Sequence, residues 1–142
     1  MPRFTANLTW LYQEHAFLDR FAAAGKDGFR AVEMNNPYEK PAAEILSRMQ
    51  AAGLSAVLIN TPAGDAARGD RGLASLPGRE DDFKRAMQTA FEYTGVLGNR
   101  LIHVVAGVIK PEQDRKRHRA TLVENLKWAA AQIGRASCRE RV

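Results

Sequence analysis

NTPAGDAARGDRGLASLPGRE, running from Asn60 to Glu80, connects two segments of contrasting pattern. The preceding run, Leu54 to Ile59, is apolar throughout most of its length, as a buried parallel strand is. In the following segment, apolar residues recur at three- and four-residue spacing from Phe83 to Leu97, which predicts a helix. A connection this long inside a compact domain is uncommon and usually functional. The stretch therefore predicts an α/β fold with a functional loop after a strand.

The same alternation of strand and helix extends in both directions along the chain. Four strands are predicted, at Phe4–Leu8, Phe29–Met34, Leu54–Asn60 and Leu101–Gly107. A helical pattern follows each of them. Such alternation predicts a parallel sheet covered by helices. Four units can form a small open sheet or half of an eight-unit barrel, which typically needs about 250 residues. No G-x-G-x-x-G or Walker sequence supports a nucleotide-binding open sheet.

The bulk composition is that of one ordinary globular domain. The chain has 142 residues, of which 45% are hydrophobic and 26% charged. Its apolar runs are too short to span a bilayer, and Met1–Phe4 lacks the apolar core of a signal peptide. We therefore expect a cytoplasmic protein. The single cysteine, Cys138, gives no support to disulfides, a cysteine nucleophile or a thiolate metal site.

The last ten residues, IGRASCRERV, differ in character from the rest. The codons ATC GGA AGA GCG TCG TGT AGG GAA AGA GTG translate to them in order and resemble a short-read sequencing adapter. Their Gly134 should interrupt the fourth helix. We therefore interpret residues 133–142 as adapter translation, not native sequence, and residues 1–132 as a truncated domain that continues naturally beyond Gln132. Without this tail the formal charge falls from +5 to +3, with 18 cations and 15 anions.

Five residues are candidates for a site because functional side chains in barrels lie at the carboxyl ends of strands. Asn7 and Asn60 bind a ligand or cap turns. Glu33 closes an apolar strand and needs a partner, either a structural ion pair or a ligand or metal. His103 is a site residue or a core histidine. Arg71 binds a carboxylate or phosphate with its planar fork, or pins the loop to a neighbouring aspartate, Asp65 or Asp70.

Two other patterns carry less functional information. Arg115, Lys116, Arg117 and Arg119 crowd the start of the fourth helix, and such a charge run is more typical of a solvated helix face than of a binding patch. The histidines and carboxylates fit no standard zinc spacing, so no metal ligands are predicted in this chain. From the residues alone, the prediction is half of an α/β enzyme with its site at the strand ends.

Several segments, in order, resemble the opening of hydroxypyruvate isomerases. They are RFTANL from Arg3, FLDRF from Phe17, GFRAVE from Gly28, Pro37–Tyr38, the Asn60–Glu80 loop and ATLVENL from Ala120. Within the loop, Gly64-Asp65, Gly69, Arg71-Gly72 and Leu76–Glu80 are the specific part. The resemblance covers nearly all of residues 3–132 and implies an N-terminal half, of about four β/α units, of a (β/α)8 TIM barrel of the xylose isomerase-like class.

The resemblance implies interconversion of hydroxypyruvate and tartronate semialdehyde through an enediol. A carboxylate base suits that proton transfer, and a divalent metal, Mg or Mn, can polarise the oxygens in the full-length protein. In the family, the catalytic glutamates and metal ligands come from later strands, so we expect residues 1–142 to be inactive, to bind no metal and to self-associate through exposed edges. We expect the protein to bind a small hydroxy or keto acid and to bind neither nucleic acid nor a membrane. We expect that the full-length protein can form a homo-oligomer.

The sequence departs from the family at two places beside the expected pocket. Ala66 replaces a usual aromatic residue, and Met34–Asn36 replaces apolar or aromatic residues. A 2-oxo-tetronate isomerase or another relative is therefore an alternative. Two further alternatives are a metal-dependent phosphodiesterase related to apurinic-site endonucleases, which would need a cluster of His and carboxylate ligands, and a small basic nucleic-acid-binding domain, for which no aromatic-rich basic strand is present.

Overall fold

A computed structural model describes residues 3–139 and confirms the predicted alternation of strands and helices. The strands are β1 Ala6–Asn7, β2 Ala31–Met34, β3 Ser55–Asn60 and β4 Leu101–His103. The helices are α1 Arg20–Lys26, α2 Ala42–Ala51, α3 Glu80–Leu97 and α4 Arg115–Arg139. Short 3-10 turns occupy Phe17–Asp19, Pro37–Glu39 and Ala66–Arg68.

The four strands form one parallel sheet in the order β1-β2-β3-β4. This order follows the chain without reversal, as in the (β/α)8 barrel, whereas a doubly wound open sheet reverses direction at a switch point. The fold prediction is therefore confirmed: the chain has about four β/α units of the TIM-barrel type. Within the described residues, β1 and β4 each pair on one side only, and the side chain of Leu101 in β4 is 53% exposed.

The described residues divide into two compact units. The first comprises residues 3–61 and 89–103 and contains the sheet, α1 and α2. Its core lies on one face of the sheet, where Val32, Met34 and Ile59 have no exposed surface and pack with Phe21 of α1 and Ile45 of α2. The alternation of buried and partly buried residues along β2 explains why the opposite face of this sheet remains available for polar side chains.

The second unit comprises residues 62–88 and 104–139 and contains most of the long loop. Phe83 of α3 packs edge-on against Trp128 of α4, with ring centroids 6.3 Å apart. The buried Asn125 of α4 donates through Nδ2 to the backbone oxygen of Ala74 in the loop, at 2.9 Å. The ring contact thus joins α3 to α4, and a hydrogen bond buried from water attaches the loop to α4.

Two of the predicted element ends are wrong. The predicted strand Leu101–Gly107 ends at His103, because Val105 and Ala106 bond the loop instead: the Leu73 N–H donates to the Val105 oxygen at 3.1 Å. The predicted break at Gly134 is also absent, since α4 runs to Arg139 and a single glycine costs a helix only about 1 kcal/mol relative to alanine. The interpretation of residues 133–142 as adapter translation stays a prediction. The last three of these ten residues lie outside the described residues.

Replacing Phe21 by Ala should destabilise the first unit far more than the same change at Phe4. Phe21 is fully buried and Phe4 is 72% exposed. We expect Phe21→Ala to lower the free energy of unfolding by about 3–5 kcal/mol, because it removes apolar contacts and leaves a cavity. Phe4→Ala should change it by about 0.5 kcal/mol or less. Urea unfolding followed by circular dichroism measures both, and equal effects would contradict this placement of the core.

Candidate functional site

Four of the five predicted site residues lie at the carboxyl edge of the sheet in the first unit. The strand register pairs Asn7 with Glu33 and Asn60 with His103, and it sets Glu33 beside Leu58, two residues before Asn60. Neighbouring side chains in parallel strands point to the same face, and alternate residues in one strand do so too. All four side chains therefore share the face opposite the apolar core. Together with Asn35 we call them the strand-end cluster.

Asn7 and Glu33 form one half of the strand-end cluster. Asn7 Nδ2 donates to Glu33 Oε1 at 2.9 Å and to Asn35 Oδ1 at 3.2 Å. Asn7 Oδ1 accepts the Thr9 N–H at 3.0 Å, so Asn7 caps a turn as well. Within residues 3–139, Glu33 makes no ion pair, and the Asn7 amide is its hydrogen-bond partner. The half-buried Glu33 carboxylate thus keeps an oxygen available for a ligand.

Asn60 and His103 form the other half. His103 is the last residue of β4 and is exposed, so the core-histidine alternative is wrong. Its Nδ1 lies 3.1 Å from Asn60 Oδ1, a distance at which an Nδ1–H group donates to the amide oxygen. In that tautomer the Nε2 atom is an acceptor. In this arrangement, His103 Nε2 can accept a hydrogen bond from a hydroxyl group of a ligand.

Tyr38 holds the backbone at the end of β3. Its hydroxyl donates to the Asn60 carbonyl oxygen, and its ring packs edge-on against Tyr93 with centroids 4.9 Å apart. Burial raises the pKa of the Tyr38 phenol above its ordinary value, so the group is a neutral donor at physiological pH. The only sequence signal for this residue was its place in the Pro37–Tyr38 segment. Likewise, nothing in the sequence pattern indicated the bond between Asn7 and Asn35.

In the second unit, an ion pair anchors the long loop. Arg79 Nη1 and Nη2 donate to Asp70 Oδ1 and Oδ2 at 3.2 and 3.0 Å, and Arg79 also bonds Asp82 in the first turn of α3. Asp70 Oδ2 accepts the Asp65 N–H at 2.9 Å as well. The bonds from Arg79, and then that from Asp65, hold the pKa of the Asp70 carboxyl below its ordinary value.

Two glycines let the loop adopt this conformation. Gly64 has a φ of +95°, and a Cβ there would lie 2.5 Å from Asp70 Oδ2. Gly72 has a φ of +118°, and a Cβ there would lie 2.4 Å from the Gly107 nitrogen. Both positions require a left-handed backbone and a close approach that a side chain would block. The geometry of the loop therefore explains why glycine stands at these two positions.

Arg71, the fifth predicted residue, belongs to this loop and is exposed. The alternative in which it pins the loop to Asp65 or Asp70 is wrong, because Arg79 binds Asp70 and Asp65 Oδ1 accepts the Ala67 N–H at 2.9 Å. Among the described residues, no hydrogen bond or ion pair engages the Arg71 side chain. Its binding of a carboxylate or phosphate stays a prediction.

The structure offers no metal centre in the described part of the chain, where no group of three or more His, Cys, Asp or Glu side chains is placed to hold an ion. Glu33 and His103 are the residues of these types in the strand-end cluster, and they do not form such a group. The Mg or Mn expected for the full-length protein stays a prediction. No helix of residues 3–139 is both long and apolar enough to cross a membrane.

The chain has clear relatives of known description. Residues 21–138 match the family model described as "Xylose isomerase-like TIM barrel". A 2-oxo-tetronate isomerase of Cupriavidus necator is 59% identical over 130 residues, which make up 92% of this chain and 50% of that protein. A hydroxypyruvate isomerase of Escherichia coli is 42% identical over the same shares. The chain spans about half the length of these curated relatives.

A solved structure agrees with this assignment of the fold. The crystal structure of an AP endonuclease, family 2, from Brucella melitensis superposes with a TM-score of 0.91 at 38% sequence identity. The match covers 96% of this chain and 52% of that chain. The four β/α units and the long loop are thus shared with a larger protein.

Replacing Arg79 by Gln should loosen the loop, whereas the same change at Arg71 should not. The Asp65 N–H reports the difference, because it donates to the carboxylate that Arg79 holds. We expect its protection from hydrogen exchange, corrected for intrinsic rates, to fall in Arg79→Gln and to stay unchanged in Arg71→Gln. Equal protection in both variants would contradict the anchoring role.

The same ion pair predicts a dependence of loop stability on pH. The pKa of Asp70 is lower in the folded chain than in the unfolded chain, where it is about 3.9. The stabilisation by the pair is therefore fully present above that unfolded value and is lost as the pH falls through the lower folded value. Protection of the Asp65 N–H in the native chain should fall over that acid range. In Arg79→Gln the fall should begin at a higher pH, because the cation that lowers the pKa is gone.

Proposed function

Since the chain belongs to the xylose isomerase-like TIM barrel family, we propose that it is the N-terminal half of a keto-acid isomerase acting on 2-oxo-tetronate. The observation that carries the proposal is the strand-end cluster: three amides, a carboxylate and an imidazole lie together at the carboxyl edge of a parallel sheet. Hydroxyl and keto oxygens of a sugar acid are the groups that such donors and acceptors bind.

Two features favour 2-oxo-tetronate as the substrate over hydroxypyruvate, the substrate that the resemblance alone implies. The relative named for 2-oxo-tetronate is 59% identical, against 42% for the relative named for hydroxypyruvate. In addition, Asn35 stands where hydroxypyruvate isomerases usually carry an apolar or aromatic residue, and its Oδ1 accepts a hydrogen bond from Asn7 Nδ2. A four-carbon acid has one more hydroxyl-bearing carbon than a three-carbon acid, and an extra amide at the cluster provides a partner for it.

The proposed reaction moves a proton between adjacent carbons through an enediol. In this scheme the Asn7 and Asn60 amides orient the substrate's hydroxyl groups, and Glu33 and His103 accept hydrogen bonds from those hydroxyl groups. These are binding and orienting roles, because the resemblance assigns the proton-transferring glutamates and the metal ligands to later strands. A divalent metal would polarise the substrate's oxygens in the full-length protein, and no step performed by the present residues depends on it.

The name of the Brucella structure supports a second candidate, cleavage of apurinic sites in DNA. Phosphodiester cleavage in a barrel of this kind would need a cluster of His and carboxylate ligands, and the described residues contain no such cluster. The net charge of +3 without the tail is also small for a chain that binds a polyanion. This candidate is best tested alongside the first.

A substrate comparison on the whole protein tests the proposal. The source DNA is amplified across the Gln132 codon, and we expect the reading frame to continue into further strand–helix units. The encoded protein should show a higher kcat/KM with 2-oxo-tetronate than with hydroxypyruvate, and no cleavage of an oligonucleotide containing an apurinic site. The 142-residue chain, tested as a control, should turn over neither acid. A preference for hydroxypyruvate, or cleavage of the oligonucleotide, would refute the assignment.

Asn35 should determine the choice between the two acids. In the whole protein, Asn35→Leu should lower kcat/KM for 2-oxo-tetronate by about 10-fold to 100-fold, the usual cost of an unpaired substrate hydroxyl, while hydroxypyruvate is affected by about threefold or less. Asn36→Leu is the matched control, because Asn36 is the exposed neighbour and should leave both values unchanged. An equal loss for both acids in Asn35→Leu would show a structural role instead.

A further inference from the structure

Thr9 connects two residues of the strand-end cluster that belong to different strand ends. It follows β1 by two positions and is partly buried. Its N–H donates to Asn7 Oδ1 at 3.0 Å, and its Oγ1 accepts the Asn35 N–H at 2.8 Å. Asn7 Nδ2 donates to Asn35 Oδ1 at 3.2 Å. These three residues therefore form a closed circuit of hydrogen bonds, which we call the Asn7–Thr9–Asn35 ring.

The ring fixes the direction of the Asn7 amide. A backbone N–H only donates, so Thr9 requires the oxygen of the Asn7 amide to face it. A carboxylate oxygen only accepts, so Glu33 Oε1 requires the amide nitrogen to face it, at 2.9 Å. The two requirements agree, and they exclude the flipped amide. Both hydrogens of Asn7 Nδ2 are then used, one by Glu33 and one by Asn35.

The direction of the Asn7 amide determines that of the Asn35 amide. Because Asn7 offers only donors at this contact, Asn35 turns its oxygen towards Asn7 and its nitrogen away. Among residues 3–139, no hydrogen bond engages Asn35 Nδ2, so this nitrogen keeps two hydrogens to donate. The second carboxylate oxygen of Glu33 remains an acceptor. The cluster thus presents a donor and an acceptor that are both held by the same Asn7 nitrogen.

A hydroxyl group is the part of a sugar acid that matches this pair. It donates its hydrogen to the Glu33 carboxylate while its oxygen accepts from Asn35 Nδ2. A keto oxygen only accepts and would give Glu33 no donor. A substrate carboxylate would bring a second negative charge to Glu33, and like charges repel.

From this arrangement we propose that Thr9 is a positioning residue, which orients Asn35 and Glu33 to bind the hydroxyl group on the fourth carbon of the substrate. The inference rests on the proposed function, in which 2-oxo-tetronate reacts at its second and third carbons and its fourth carbon is left for recognition. Hydroxypyruvate has no fourth carbon. Thr9 acts through the Asn7–Thr9–Asn35 ring and does not contact the substrate itself.

Equilibrium dialysis on the full product of the reading frame tests the proposal without turnover. The probes are 4-hydroxy-2-oxobutyrate and 2-oxobutyrate, which differ only in the hydroxyl on the fourth carbon. Neither has the hydroxyl on the third carbon that enediol formation requires, so neither can be isomerised. We expect 4-hydroxy-2-oxobutyrate to bind about 10-fold to 100-fold more tightly, the range for a hydrogen bond to a charged group.

Variants of Thr9 separate positioning from a general structural role. Thr9→Val keeps the shape of the side chain but removes the acceptor of the Asn35 N–H, so the preference for the 4-hydroxy probe should fall to about threefold or less. Thr9→Ser keeps the acceptor, and its preference should stay within about twofold of the original. In an Asn35→Leu background, Thr9→Val should not change the remaining preference further, because Thr9 acts through Asn35.

Ser55→Ala is the matched control. Ser55 Oγ donates to the Arg30 oxygen at 3.3 Å, so this change also removes a bond between a hydroxyl side chain and the backbone, but at the amino ends of the strands. It should leave the preference unchanged. Hydrogen exchange of the Asn35 N–H reports the ring directly: its protection should fall in Thr9→Val and persist in Thr9→Ser.

Four results would overturn the proposal: no binding of either probe, equal binding of the two probes, equal weakening of both probes by Thr9→Val, or unchanged protection of the Asn35 N–H in Thr9→Val. The proposed function fails differently. A protein that selects the 4-hydroxy probe but does not isomerise 2-oxo-tetronate would refute the reaction and leave the recognition of the hydroxyl in place. An active isomerase that binds both probes equally would do the reverse.

Discussion

Parallel pairing of four strands in chain order is the constraint on which the candidate site depends. It brings the carboxyl ends of all four strands to one edge, so residues separated by up to 96 positions, Asn7 and His103, belong to the same cluster. One face of the sheet is covered by the core, in which Val32, Met34 and Ile59 are fully buried. Polar groups are therefore found on the other face. An unpaired polar side chain at these strand ends would be costly on the core side.

The long loop is organised by contacts of a different kind. The pair between Asp70 and Arg79 closes it, and Gly64 and Gly72 remove the side chains that would obstruct that closure. Because Arg79 satisfies Asp70, the neighbouring Arg71 remains available for an external anion. The loop thus uses Arg79 as a structural arginine and leaves Arg71 exposed, although the two residues have the same chemistry and lie eight positions apart.

The relatives place these features within a larger protein. The family match covers residues 21–138, and the curated relatives are about twice as long as this chain. In our proposal the strand-end cluster binds and orients a polar substrate; the described residues contain no metal-ligating group of three. Division of labour between a binding half and a catalytic half follows from our proposal.

The sequence by itself determined the fold class, since strand and helix periodicities are local properties that burial on one face enforces. It also predicted that Asn7, Glu33, Asn60 and His103 stand at the carboxyl ends of strands, because the end of an apolar run marks the end of a strand. Only the tertiary structure decided which partners these residues have. Sequence spacing could not show that Arg79, not Arg71, binds Asp70, or that β4 stops at His103 where the loop takes over its hydrogen bonds. Such contacts join residues distant in the chain, and their geometry depends on how the whole backbone is folded.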